Sequence, residues 1–110
     1  MEIIERDQLP WSDIAHELVG AEHGLDVTIL FVDAGPGEGP ALHRHQYAEV
    51  FVVLEGEATF TVGEERKAVR AGEIVIGPAG QPHAFVNSGT GALRQIDIHL
   101  SPSPRTEWLE

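Results

Sequence analysis

Hydrophobic and polar residues alternate with a period of two along much of this chain. In EATFTVGEE (57–65), Ala58, Phe60 and Val62 fall on one face and Thr59 and Thr61 on the other. GALRQIDIHL (91–100) sets Ile96, Ile98 and Leu100 opposite Gln95, Asp97 and His99. Successive side chains of an extended strand point to opposite faces, so this pattern predicts strands with one buried side. LDVTILFVDA (25–34) and AEVFVVLEG (48–56) are apolar, β-branched runs, and GEIVIGPAG (72–80) holds a short strand between turn signals. Glycine and proline punctuate these runs at Gly35-Pro36-Gly37, Gly56, Gly63, Gly72, Gly77-Pro78, Gly80, Gly89 and Gly91. Strands at roughly 8–12-residue spacing with such turn signals predict an all-β sandwich or barrel. Only PWSDIAHEL (10–18), with Ser12 or Asp13 as its N-cap, and the tail PRTEWL (104–109) are expected to hold a helical turn.

Length and charge narrow the function. At 110 residues without repeat or linker, the chain reads as one domain, 1–110. It has no cysteine, which excludes disulfides, thiolate metal sites and cysteine nucleophiles. Seven basic residues against 18 acidic ones give a formal charge of −11. Such a surface repels phosphate backbones and anionic lipid heads, so neither nucleic acid nor membrane is an expected partner. The start, MEIIERDQLPW, places acids where a secretory signal needs a basic end and an apolar run, and the expected location is the cytoplasm.

Chemistry enters at GEGPALHRHQYAE (37–49), where two histidines and a glutamate crowd into seven positions behind a Gly/Pro-rich loop. With residues 42–45 extended, His43 and His45 point to the same side. Beyond a bend at Gln46, Glu49 shares a face with Phe51 and Val53. If that face looks inward, a carboxylate stands inside the barrel and needs a compensating partner. A divalent cation held also by the two imidazoles supplies one. The competing reading is a surface His-x-His pair with Glu49 in solvent. QPHAFVN (81–87) adds His83 behind the turn GPAG, sharing a face with Phe85 and Asn87. Three neutral imidazoles and a carboxylate suit a borderline divalent metal, one per chain: Fe, Mn, Ni, Co or Zn. Four ligands on a six-coordinate ion leave two positions for water, substrate or oxygen, as a catalytic site requires.

These residues resemble the two motifs of the cupins. Gly37, His43, His45, Glu49 and Gly56 fill G-x5-H-x-H-x3-E-x6-G (37–56), and Gly72, Pro78, Gly80, His83 and Asn87 fill G-x5-P-x-G-x2-H-x3-N (72–87). Ten fixed positions in order, across half the chain, make the likeness specific. The chain is similar to small single-domain cupins of the conserved-barrel type. The resemblance implies a double-stranded β-helix, a jelly-roll barrel around a ligand cavity, with His43, His45, Glu49 and His83 as metal ligands. In this picture Gly56 and Gly80 permit turn conformations that a Cβ penalises, Pro78 fixes the turn before His83, and Asn87 braces a turn rather than binding metal.

Cupin folds carry many chemistries, so the pocket itself has to be read. The inward face is expected to include Phe31, Tyr47, Phe51, Phe60, Phe85 and His99, with Phe31 and Phe60 as ordinary core. Tyr47 and His99 are the two candidate catalytic acids or bases. His99 reads equally as a pocket residue or as a satisfied histidine near the rim. Gln95 and Asp97 share its face, and Asp97 is a candidate for fixing its tautomer. His16 and His23 are expected in solvent. No cationic cluster faces the pocket, since Arg44 and Arg94 alternate away from it, which argues against strongly anionic substrates. The leading expectation is a mononuclear non-haem dioxygenase, an oxidoreductase acting on a small organic acid, enol or phenol. The alternatives are a metal-dependent isomerase, lyase or decarboxylase, and a non-catalytic module binding a small ligand. The faces Val50/Val52/Leu54 and Ile96/Ile98/Leu100 cannot all look into one cavity, so some are expected to cover another sheet or a partner, and a homodimer is the expected assembly.

Overall fold

A computed structural model describes residues 1–110. Its strands are β1 (Trp11–Ser12), β2 (Ala15–Leu18), β3 (Thr28–Ala34), β4 (His43–Arg44), β5 (Glu49–Glu55), β6 (Glu57–Val62), β7 (Glu65–Arg70), β8 (Ile74–Gly77), β9 (His83–Asn87), β10 (Leu93–His99) and β11 (Glu107–Trp108). They form two antiparallel sheets, one in the order β1-β2-β3-β10-β5-β8 and one in the order β11-β4-β9-β6-β7. This is the all-β jelly roll that the alternation and the motif spacing imply. In β10, Leu93, Gln95, Asp97 and His99 are buried while Arg94, Ile96 and Ile98 are not, and β9 repeats the pattern with His83, Phe85 and Asn87 inside.

The space between the sheets is divided in two. Toward one end Val53, Ala58, Phe60, Val69 and Leu93 make an apolar core. Phe51, Phe60 and Phe85 pack there edge-on or tilted, with ring centroids 5.0–6.1 Å apart. Toward the other end the buried residues turn polar and build the site described below. Gly56 makes the turn between β5 and β6 with φ +86°, and a Cβ there would stand 2.4 Å from the Ala92 carbonyl oxygen, so glycine is required. Asn87 donates to the carbonyls of Ala34 and Gly91 and accepts from the Gly89 N–H, bracing two turns as expected.

Both expected helical turns are strands instead. Residues 10–18 form the β1–β2 hairpin, with β2 added to β3 through Ala15 opposite Val32 and Glu17 opposite Leu30. The tail forms β11 against β4, Glu107 opposite Arg44 and Trp108 opposite His43, tied by Arg44 Nε and Nη2 donating to Glu107 at 2.7 and 3.0 Å. Segments this short gain little from helical hydrogen bonds alone, whereas a waiting sheet edge satisfies their backbone at once. The edge strand β7 had no sequence signal, because only Val69 of its six residues is buried. His16 and His23 are not free in solvent: His16 Nδ1 lies 3.0 Å from the Leu9 carbonyl and His23 Nδ1 3.2 Å from Glu2.

The outer face of the six-stranded sheet is apolar. Ile74, Val52, Ile96 and Phe31 lie in one row across β8, β5, β10 and β3, and Ile76, Val50, Ile98 and Ile29 lie in the next. Phe31 therefore faces outward, half-buried, and the expectation that it faces the cavity is corrected: Thr28, Leu30, Val32 and Ala34 are the inward residues of β3. No helix is long and apolar enough to cross a membrane.

Candidate metal centre

Four of the motif residues meet at one point between the sheets. β4 places His43 directly opposite His83 of β9 in the five-stranded sheet. β5 places Glu49 opposite His99 of β10 and Gly77 of β8 in the six-stranded sheet. His45 follows β4 in the loop that crosses between them. One ligand atom from each of His43, His45, Glu49 and His83 lies within 4.8 Å of the others, and all four residues are buried.

Backbone carbonyls orient the three imidazoles. The Nδ1 of His43 is 2.7 Å from the Ala41 oxygen, that of His45 2.9 Å from the Arg105 oxygen, and that of His83 3.2 Å from the Gln81 oxygen. A carbonyl can only accept, so each Nδ1 carries the proton and each neutral ring turns an Nε2 lone pair toward the centre. Second partners of this kind commonly fix metal-bound histidines. The Nε2 atoms of His45 and His83 each lie 3.1 Å from Glu49 Oε1. His45 Nε2 is fully buried and lacks any hydrogen-bond partner. Lone pairs and a carboxylate facing one another out of water repel, and a divalent cation removes that conflict. The residues therefore fit a metal ion, and three nitrogens with one oxygen suit the borderline divalent metals.

Tyr47 and His99 stand beside this group and touch each other. The Tyr47 phenol oxygen lies 2.9 Å from His99 Nδ1 and accepts the Arg105 N–H at 3.0 Å. His99 Nε2 lies 3.3 Å from the second Glu49 oxygen. The consistent proton assignment has the phenol donating to Nδ1 and Nε2–H donating to Glu49. His99 is thus the opposite tautomer to the other three histidines, with no lone pair for a metal. Tyr47 also stacks on the His45 ring, centroids 4.9 Å apart and 14° from parallel.

The electrostatics follow from burial. Burial pushes the Glu49 carboxyl up, but without a metal ion N–H donation from the His45 and His83 rings, once protonated, and the positive charge of protonated histidines outweigh it and hold it at about 2. Burial holds His99 down at about 4 despite the nearby Glu49 charge. His43 is also lowered by burial, and the Tyr47 phenol is raised by it. Asp97 is raised well above the usual carboxylate range by burial and by the Glu49 charge.

These groups line a cavity of 240 Å³ that opens between the β1–β2 hairpin and β11, with Phe51, Phe85 and Leu30 as apolar wall. Asp97 does not fix the His99 tautomer, as its position suggested. Asp97 accepts instead from Gln95 Nε2 at 2.8 Å, while the two His99 nitrogens face Tyr47 and Glu49. Sequence reasoning missed Asp13 and Glu17, which the hairpin brings to the cavity. Alternation of Ala15 and Glu17 against His16 and Leu18 was the available signal, hidden by reading the segment as helical.

The family model described as a cupin domain matches residues 30–99. The chain belongs to the cupin family. A double-stranded β-helix protein of unassigned function from Klebsiella pneumoniae superposes with a TM-score of 0.79 at 24% identity, covering 100% of this cupin and 98% of that chain. An oxalate oxidase superposes with a TM-score of 0.81 at 22% identity, covering 97% of this cupin and 63% of that chain. The 1-methylthio-D-xylulose 5-phosphate methylsulfurylase of Rhodospirillum rubrum is 27% identical over 81 residues, 74% of this cupin and 52% of the relative. The cupin spans about half the length, or less, of the first curated relatives it matches.

Proposed function

We propose that this cupin is a mononuclear non-haem metal enzyme of the dioxygenase type, acting on a small enol, phenol or organic acid. The observation that carries the proposal is the convergence of three oriented Nε2 lone pairs and the Glu49 carboxylate on one wall of a solvent-reachable cavity. His43, His45, Glu49 and His83 would hold the ion. When bound there, a divalent metal supplies a Lewis acid for a chelated substrate oxygen and, as iron, a site for dioxygen chemistry. The chain's own residues do the rest. Phe51, Phe85 and Leu30 exclude water from the substrate's apolar part. His99, neutral at physiological pH, and the Tyr47 phenol form a two-step proton path that begins at the Glu49 oxygen. The fold shared with oxalate oxidase is compatible with oxidative chemistry, and its substrate is not carried over.

The same proton path favours a second reading, a metal-dependent isomerase, lyase or decarboxylase in which His99 or Tyr47 moves a proton of an enolisable substrate. One screen separates the readings. Protein loaded with Fe(II) is offered small enols, phenols and keto acids in an oxygen electrode, and a parallel set carrying Mn(II), Zn(II) or Ni(II) runs under nitrogen. Oxygen uptake that His45→Ala lacks supports the dioxygenase. Turnover under nitrogen supports the second reading, and binding without turnover in either arm removes both in favour of a ligand-binding module.

A further inference from the structure

The cavity walls carry one sign of charge. Four acidic side chains line it, Asp13, Glu17, Glu49 and Asp97, and no lysine or arginine does. Of the basic residues nearest in sequence, Arg44 pairs with Glu107, Arg94 pairs with Asp33 and Glu55 on the outer surface, and the Arg105 side chain lies outside the cavity, beside Arg44 and Glu107, although its neighbours Pro104 and Thr106 line it. The acids are also ordered. Strand register sets Glu17 of β2 opposite Leu30 of β3, Leu30 opposite Asp97 of β10, and Asp97 opposite Phe51 of β5, in one inward row. Glu49 lies on β5 two residues before Phe51, diagonal to Asp97. A path from the metal centre to the mouth thus meets Glu49, then Asp97, then Glu17, with Asp13 at the exposed rim.

Asp97 is the decisive member. It is 3% exposed, and its only hydrogen bond is the one from Gln95 Nε2 to Oδ1. The second oxygen, Oδ2, has no donor. A buried carboxylate with one hydrogen bond and no counter-charge is costly, as Glu49 would be without an ion. The metal does not serve both acids. A divalent ion shared by Glu49 and a chelating carboxylate or enolate of the ligand has no net charge left for Asp97. Burial raises Asp97 and Glu17 alike, which is the mark of carboxylates without a cation beside them.

Resting on the metal-centre reading above, we propose that the cavity takes a small molecule whose chelating end faces His43, His45, Glu49 and His83 and whose far end carries an ammonium group, with Asp97 and Glu17 as that group's partners. Leu30 and Phe51 flank this position and supply the low-dielectric wall that strengthens the pairing. The inference narrows the substrate class from small enols, phenols and acids in general to those bearing an amine, and it disfavours dicarboxylates.

The test uses three probes that share one chelating end and differ in the charge at the other. Isoserine carries an aminomethyl group, glycerate a hydroxymethyl group and tartronate a second carboxylate. Each is titrated into Co(II)-loaded full-length protein while the visible cobalt band reports binding, after cobalt content has been measured in wild type and His45→Ala. The expected order is isoserine tightest, by about tenfold over glycerate, with tartronate weakest. Asp97→Asn and Glu17→Gln each shrink the isoserine advantage while cobalt content stays unchanged. Glu17 is only half-buried, so Glu17→Gln remains available even if Asp97→Asn does not fold, as judged by circular dichroism. Equal affinities, no binding, a preference for glycerate or tartronate, or an undiminished preference in the variants would overturn the inference and leave the metal centre standing. Failure of wild type to take up cobalt would defeat the metal-centre reading and the inference with it.

Discussion

Replacing His99 with glutamine is expected to remove a block of acid sensitivity from the metal-free protein. His99 is buried, and burial lowers it from 6.5 to about 4. A base whose folded pKa lies below its unfolded value binds fewer protons when folded, so unfolding takes up a proton throughout the window between the two. Its contribution to stability is therefore complete above about pH 6.5 and is lost as pH falls from 6.5 toward 4. A gap of about 2.5 pH units at about 1.4 kcal/mol each makes the loss about 3 kcal/mol, a large share of the ~5–15 kcal/mol typical of a domain. His43, lowered by burial, acts in the same direction, and it is common to both proteins. Comparing wild type with His99→Gln isolates the single imidazole. The assay is urea unfolding in EDTA at half-unit steps from pH 4 to 7.5. At pH 7 the variant is the less stable, having lost the contacts to Tyr47 and Glu49, and its stability then falls less steeply on acidification. Parallel curves for the two proteins would show that His99 is not held neutral by burial.

Three further outcomes are expected. Phe51→Ala empties a site that is 1% exposed and packed on Phe60 and Phe85, and it costs about 3–5 kcal/mol in denaturant unfolding; a loss below about 1 kcal/mol would contradict the packing described. Gly56→Ala costs about 1–3 kcal/mol, because φ is +86° and the new Cβ meets the Ala92 carbonyl, whereas Gly72→Ala, with φ +91° but open space around it, costs less. The outer apolar rows, with Ile74 62% and Ile76 65% exposed, are the uncharged patch through which two copies of a chain of charge −11 can associate. Light scattering is expected to give the mass of a homodimer, and Ile76→Glu that of a monomer; a monomeric wild type at micromolar concentration would remove this expectation.

How far the sequence carried depends on what each segment's neighbours are. The strands β6 and β10 show in the chain because each buries one face, so alternation records the burial directly, while β3 and β5 show as continuous apolar runs bounded by turn residues. His43, His45, Glu49 and His83 are brought together as the motif spacing implied, since two extended segments and a proline turn leave little freedom in where they point. Phe31 misled because both faces of β3 are apolar, and its parity is set only by pairing with Ile96. The β1–β2 hairpin and β11 were unreadable for a different reason. Each is a few residues long and becomes a strand only because an edge of β3 or β4 is waiting for it. Glu17, and with it the charge of the cavity mouth, followed that hairpin out of view. The Tyr47–His99 contact joins residues 52 apart and depends on where the Arg105 segment lies, which no local pattern encodes.

Metal content per chain, in protein purified without a chelating tag and measured by elemental analysis, decides whether the four-residue group is a metal site at all. Wild type is expected to hold about one divalent ion per chain, of Fe, Mn, Co, Ni or Zn. His45→Ala, which deletes the buried Nε2 that has no other partner, is expected to hold almost none while keeping its β-sheet circular dichroism. Equal metal in the two proteins, or none in wild type after exposure to each of the five ions, would contradict it.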